Sequence, residues 1–228
     1  MDINASKQIK FHTEVLPDFT KKALEALSKE PWLEKSEWYL AGGTALALQV
    51  GNRKSIDLDF FTPEARFESI DLLEHFSNNK DWKIERNRDN MIFGELLGAK
   101  ISFIAYPFFI PKQEYIKYGS IKIIQPRDVA VMKIIAISQR GKKRDFFDLY
   151  WCAHNVESLL DTIKRLPEQY PFVAHDYHHI LKALVYFSDA EVDPEPQINF
   201  DADWKKVKSF FRKEIPLIVE KLVLKSDK

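Results

Sequence analysis

Trp38-Tyr39-Leu40-Ala41-Gly42-Gly43-Thr44-Ala45-Leu46-Ala47-Leu48 and, six residues on, Ser55-Ile56-Asp57-Leu58-Asp59-Phe60-Phe61 are the stretch on which the fold turns. Residues 38–40 read as a short buried strand that runs straight into Gly42-Gly43-Thr44, and residues 45–48 read as helix. Glycine at a strand-to-helix turn lets backbone amides approach a ligand closely, and the helix N-terminus adds positive potential suited to phosphate. Thr44 could cap the helix or bond a phosphate oxygen. Residues 55–61 alternate polar and apolar, the two-residue period of a strand with one face buried, so Asp57 and Asp59 share a face. Carboxylates that close repel each other, and a divalent cation is the usual remedy. Hard oxygen ligands beside a phosphate cradle favour Mg²⁺ or Mn²⁺. The plainer alternative is a ligand-free Gly-Gly turn and a solvated edge strand. Arg53-Lys54-Ser55, just before the carboxylates, could hold a phosphate or solvate a turn.

Outward from this stretch, residues 18–29 have apolar positions at helical spacing behind Asp18, and residues 67–76 predict a further helix. Three strand-like runs follow at 82–88, 91–97 and 100–106, with short connections at Asp89-Asn90 and Gly98-Ala99 that suggest a hairpin meander. After Pro126 every periodic segment reads as helix: 127–138, 145–154, 156–165, 174–186 and 203–224. Pro216 is expected to kink or split the last. Strands first and helices afterwards indicate an α+β fold, a mixed sheet with flanking helices in residues 1–124 and a helical half in 125–228.

A second polar constellation lies in the helical half. Lys133 stands in the apolar run Val131-Met132-Lys133-Ile134-Ile135, where a lysine either snorkels to solvent or faces a cleft. Arg140, Lys142, Lys143 and Arg144 form the densest basic cluster in the chain, and Asp145 and Asp148 fall one helical turn apart on one face. Without a ligand, Asp145 would serve as helix N-terminal charge and Asp148 as a salt-bridge partner.

The 34 basic and 34 acidic residues among 228 give a formal net charge of zero, which argues against coating nucleic acid by bulk charge but not against a local basic site. A hydrophobic content of 45% excludes a disordered chain. The single cysteine, Cys152, cannot form an internal disulfide and, with its apolar flank, reads as core rather than as a catalytic thiol. Met1 to Lys7 lead into no apolar segment, so no signal peptide is expected, nor any membrane span. A cytoplasmic protein is the expectation. His175, His178 and His179 have a spacing that suits Zn²⁺, but they read as surface helix residues. The aromatic run at 106–109 reads as packing at the joint between sheet and helices rather than as a base-stacking platform.

Taken in order, Gly-Gly-Thr-x-Leu (42–46), Arg-x-Ser-x-Asp-x-Asp-Phe-Phe (53–61) and Lys-x-x-Ala-x-x-x-Arg-x-x-x-Arg-Asp-x-x-Asp-Leu (133–149) resemble the AbiEii-type nucleotidyltransferases. These are toxins of type IV toxin–antitoxin and abortive-infection systems with a DNA polymerase β-like fold. The resemblance spans residues 37–150. It implies an enzyme that binds a nucleoside triphosphate with Mg²⁺ (or Mn²⁺) and moves a nucleotide to an RNA (tRNA among them) or a protein acceptor, releasing pyrophosphate. A cognate antitoxin is an implied partner. Carried over by position, Gly42, Gly43 and Thr44 would cradle the triphosphate, joined by Arg53, Ser55, Lys133, Arg140, Arg144 and Asp145. Asp57 and Asp59 would hold metal, and Asp57, Asp59, Lys133 and Asp148 would be catalytic. Polymerase β-like enzymes often place a third carboxylate on a later strand. The matching strand here carries Ser102, which cannot act as base at neutral pH. Asp148 or Glu95 filling that gap, slow turnover, a nucleotide-binding module without transfer, and an antitoxin-like binding protein are the alternatives this leaves.

Overall fold

The computed structural model describes residues 10–222. Met1 to Lys7, and residues 223 and 224 at the end of the expected last helix, lie outside them. Strand β1 (Tyr39–Ala41) is buried at every residue, which is how so short a strand can occupy an inner place in the sheet. It passes directly into α3 (Gly42–Val50), and the reversal falls on Gly42, whose φ of +70° is cheap only for glycine. Before it come α1 (Asp18–Leu27) and α2 (Pro31–Lys35); α1 follows Pro17, and no side chain caps it. Strand β2 (Leu58–Thr62) begins three residues later than the alternation predicts. Ser55 to Asp57 are drawn off instead by other partners: the Ser55 N–H bonds Val15, and the Thr44 hydroxyl donates to the Asp57 carbonyl.

Beyond α4 (Ser69–Glu74), the meander forms as its turn signals predict, with β3 (Trp82–Arg88), β4 (Met91–Leu96) and β5 (Ala99–Ala105). A further hairpin, β6 (Ile116–Tyr118) and β7 (Ile121–Ile123), is an addition to the sequence reading. Its signal is Gly119-Ser120 set between two alternating triplets. The seven strands make one mixed sheet in the order β3-β4-β5-β2-β1-β7-β6. The β1–β7 and β2–β5 pairs are parallel and the other pairs antiparallel.

The rest of the described chain is helical apart from its connections: α5 (Pro126–Arg140), α6 (Lys143–Asn155), α7 (Leu159–Lys164), α8 (Leu166–Gln169), α9 (Tyr177–Ala183), α10 (Ser188–Glu191) and α11 (Trp204–Leu222). Ser158 and Asp176 cap α7 and α9, accepting from the Asp161 and His179 N–H groups, and these caps set the helix starts later than the periodicity suggests. Gly141, at φ +54°, ends α5 and folds α6 back against it, with α11 packing on α6. Helix α11 runs through Pro216 without a break, so the expected split does not occur. Buried apolar residues of the sheet and of the helical half form one continuous core.

Candidate active site

Asp59 stands where three strands meet in register, opposite Ala41 of β1 and Ser102 of β5. The Ser102 hydroxyl donates to Asp59 Oδ1 at 2.6 Å. Ser102 therefore stands beside the carboxylate pair, where the resemblance implies a third carboxylate, and it serves there as a donor to Asp59. Burial pushes the Asp59 carboxyl above its usual range; the Ser102 hydrogen bond pulls against this and the Asp57 charge adds to it. Asp57 sits just ahead of β2, half exposed, with Arg144 Nη1 3.8 Å from its Oδ2.

The two glycines give these groups room. A β-carbon at Gly42 would lie 3.3 Å from Asp59 Oδ2, and one at Gly43 would lie 2.0 Å from the Arg53 guanidinium. Thr44 is buried. Its hydroxyl donates to the Asp57 carbonyl and lies 2.8 Å from Ser55 Oγ, so it pins the start of α3 to the carboxylate loop. Its single proton is committed in this arrangement, and it makes no helix cap.

Behind the cleft lies a buried charge network. Asp148 is fully buried and accepts from Arg53 Nε at 2.7 Å, Arg53 Nη2 at 2.8 Å and Asn52 Nδ2 at 3.0 Å, and Lys133 Nζ lies 2.7 Å from it. Asp145, equally buried, takes Lys133 Nζ at 2.6 Å and Arg140 Nε at 3.1 Å. Burial alone would raise both carboxyls. Arg53 and Lys133 nonetheless hold Asp148 far below the usual carboxylate range, and Lys133 with Arg140 lowers Asp145. Lys133 is thus neither snorkelling nor free: two of its three donors meet carboxylates, leaving the third for the cleft it lines. Asn52 had no motif to mark it. It enters only because the end of α3 meets α6.

Sheet and α5 enclose a cleft of about 410 Å³. It brings together Gly42, Gly43, Thr44, Arg53, Ser55, Asp57, Asp59, Lys133, Arg140 and Arg144. Asp145 and Asp148 do not line it; they stand behind Lys133, Arg53 and Arg140. Glu95 lies outside it as well, 3.5 Å from Lys83. Sequence reasoning missed the cleft's apolar walls, among them Phe61, Phe93, Ile104 and Tyr170. Of the aromatic run, Phe109 packs in the core against Tyr170, whereas Tyr106 reaches the cleft. Cys152 is buried near the Pro126 carbonyl, and burial pushes its thiol up. His175 and His179 approach the Tyr170 and Ser138 carbonyls. Among the described residues no three His, Cys, Asp or Glu side chains gather to hold an ion, and Asp57 and Asp59 are the carboxylates that line the cleft. Two crowded, partly buried oxygen donors beside glycine amides suit a hard cation that phosphate and water would complete. Among the described residues, no helix is long and apolar enough to cross a membrane.

The sequence model of the family described as "Nucleotidyl transferase AbiEii toxin, Type IV TA system" matches residues 22–90 and 89–222. An uncharacterized protein of Aquifex aeolicus, aq_aa25, is 34% identical over 205 residues, covering 88% of this chain and 97% of that one. Among solved structures, JHP933 from Helicobacter pylori superposes with a TM-score of 0.53 at 23% identity, covering 90% of this chain and 93% of that one. The nucleotidyltransferase toxin MenT4 from Mycobacterium tuberculosis does so with a TM-score of 0.54 at 12% identity, covering 88% and 84%. These two likenesses show the fold.

Proposed function

Because the chain belongs to the AbiEii nucleotidyltransferase toxin family of type IV toxin–antitoxin systems, we propose that its cleft binds a nucleoside triphosphate with Mg²⁺ and passes the nucleotidyl group to a hydroxyl of an RNA or protein acceptor. The observation that carries this reading is the cleft itself. It sets Asp57 and Asp59 and the Gly42-Gly43 turn against Lys133, Arg140 and Arg144 within one space of nucleotide size.

Asp57 and Asp59 would hold the metal, which supplies charge neutralisation on the phosphates and alignment of the attacking oxygen. The acceptor oxygen bonds to the α-phosphorus as the bond to the pyrophosphate oxygen breaks. Lys133, Arg140 and Arg144 take up charge on the departing pyrophosphate. Asp57 and Asp59 are the only carboxylates lining the cleft among the described residues, so the acceptor proton leaves to one of these or to solvent. Asp148 is best read as a positioning residue, holding Arg53 and Lys133 in place from behind. A cognate antitoxin is the partner that this family membership supports.

The test is incubation of the purified protein with each α-labelled NTP, Mg²⁺, and total tRNA or cell lysate. Label is expected in an RNA or protein product, to vanish with Asp57→Ala or with chelation, and to return on adding Mg²⁺. The Ser102 position favours one second reading, a nucleotide-binding module without transfer. Thermal stabilisation by NTP and Mg²⁺ with no product from any acceptor would establish that reading in its place.

A further inference from the structure

Strand register carries the row of the active-site carboxylate to the edge of the sheet. Asp59 pairs with Ser102, Ser102 with Phe93, and Phe93 with Arg86 of the edge strand β3. Laterally paired residues present their side chains on one face, so Arg86 stands on the face that carries Asp59, three strand spacings or about 14 Å away. The next row on this face is Phe61, Ile104, Met91 and Arg88, and the row on the other side is Lys100, Glu95 and Lys83. The bulge between Ile84 and Arg86 keeps Lys83 and Arg86 on the same face although three positions separate them.

Arg86, Arg88 and Lys100 are exposed and make no ion pair or side-chain hydrogen bond among the described residues. Beyond Asp59, Glu95 is the one carboxylate in these rows, and it lies 3.5 Å from Lys83. The nearest other acids along the strand, Glu85 at the bulge and Asp89 at the turn, pair with none of these cations. Unpaired cations on the exposed margin of a sheet face that leads past Phe93, in the cleft wall, to the carboxylates match a chain of phosphates carrying stackable bases. A protein strand is a poorer fit, because charges along β3 oppose edge-to-edge pairing.

We propose that this face of β3, β4 and β5 is the acceptor surface and that its occupant is single-stranded RNA. A base stacks on Phe93, phosphates meet Arg86, Arg88 and Lys100, and the reacting hydroxyl arrives at Asp57 and Asp59. This rests on the transferase reading above, so the experiment measures the two separately. A short fluorescein-labelled single-stranded RNA is titrated by anisotropy across a salt series, and NTP with Mg²⁺ is titrated by thermal shift.

The double variant Arg86→Glu/Arg88→Glu is expected to bind RNA about tenfold more weakly, with the slope of log affinity against log salt reduced by about 1.4 for two lost phosphate contacts. Its stabilisation by NTP is expected to match the parent's, which also shows that it folds. Lys29→Glu/Lys205→Glu carries the same change of net charge on exposed residues away from these rows and is expected to change neither readout. Equal RNA affinity in Arg86→Glu/Arg88→Glu and the parent, or no RNA binding by the parent, overturns the proposal while leaving the nucleotide site standing. So does undiminished label transfer by that variant to a protein acceptor. Loss of NTP stabilisation in the parent strikes the transferase reading instead.

Discussion

At the scale of single residues, the four aspartates of the motifs divide into two kinds that their side chains alone do not distinguish. Asp57 and Asp59 face the cleft, whereas Asp145 and Asp148 are buried against Arg53, Lys133 and Arg140. Asp148→Asn leaves Arg53 and Lys133 under-compensated in the interior, and is expected to lower stability at neutral pH by about 3–5 kcal/mol in denaturant titrations. The sign with pH follows from the direction of the shift. A carboxyl held below its unfolded value contributes stability above about pH 4 and loses it as pH falls toward the folded-state value, so the gap between parent and Asp148→Asn narrows in acid. Asp57→Ala, at a half-exposed position, is expected to stay within about 0.5 kcal/mol of the parent while abolishing transfer. Ser102 acts on Asp59 in the lowering direction, so Ser102→Ala is expected to move the acid limb of the pH–rate profile to higher pH. An unmoved limb would show that ionisation of Asp59 does not govern the rate.

At the scale of elements, the helix boundaries show what short-range pattern conveys and what it does not. The strand and helix periods of β4, α5 and α6 are visible in the sequence because each buries one face, but the start of β2 depends on Thr44 and Val15 drawing residues 55–57 out of the ladder. Pro216 is the converse case. Local chemistry predicts a kink or a split; α11 is not split, because Val207, Phe211, Ile215 and Ile218 bury a continuous stripe on both sides of it. The proline is exposed and leaves the Arg212 carbonyl without its helical donor. Pro216→Ala restores that donor and is expected to stabilise the protein by about 2 kcal/mol, a rise in Tm of roughly 4–8 °C by calorimetry. A fall in Tm would mean that the proline ring packs usefully where it stands.

At the scale of the molecule, the sheet half and the helical half are joined through one core and one charge network. Arg53 of the first half finds its carboxylate on α6 of the second. A chain ending at Ile124 would expose the apolar surface of α3 and leave Arg53 unpaired. It is expected to show no cooperative unfolding transition by circular dichroism, whereas a sharp transition would mark the first half as independently stable. The strand-turn-helix with its glycines, the Asp57–Asp59 pair, the basic run after Lys133 and the α+β order are legible along the chain, because each is a local matter of period, turn chemistry and charge spacing. Folding in three dimensions is what brings Asn52 and Arg53 to Asp148, more than ninety positions away, sets Ser102 against Asp59, and makes Phe61, Phe93, Tyr106 and Tyr170 wall the cleft. Those juxtapositions depend on strand register and on how α5 and α6 pack over α3. A long-range pairing of that kind leaves no periodic trace in one chain, because it is set by the shape of the whole core rather than by neighbours along the sequence.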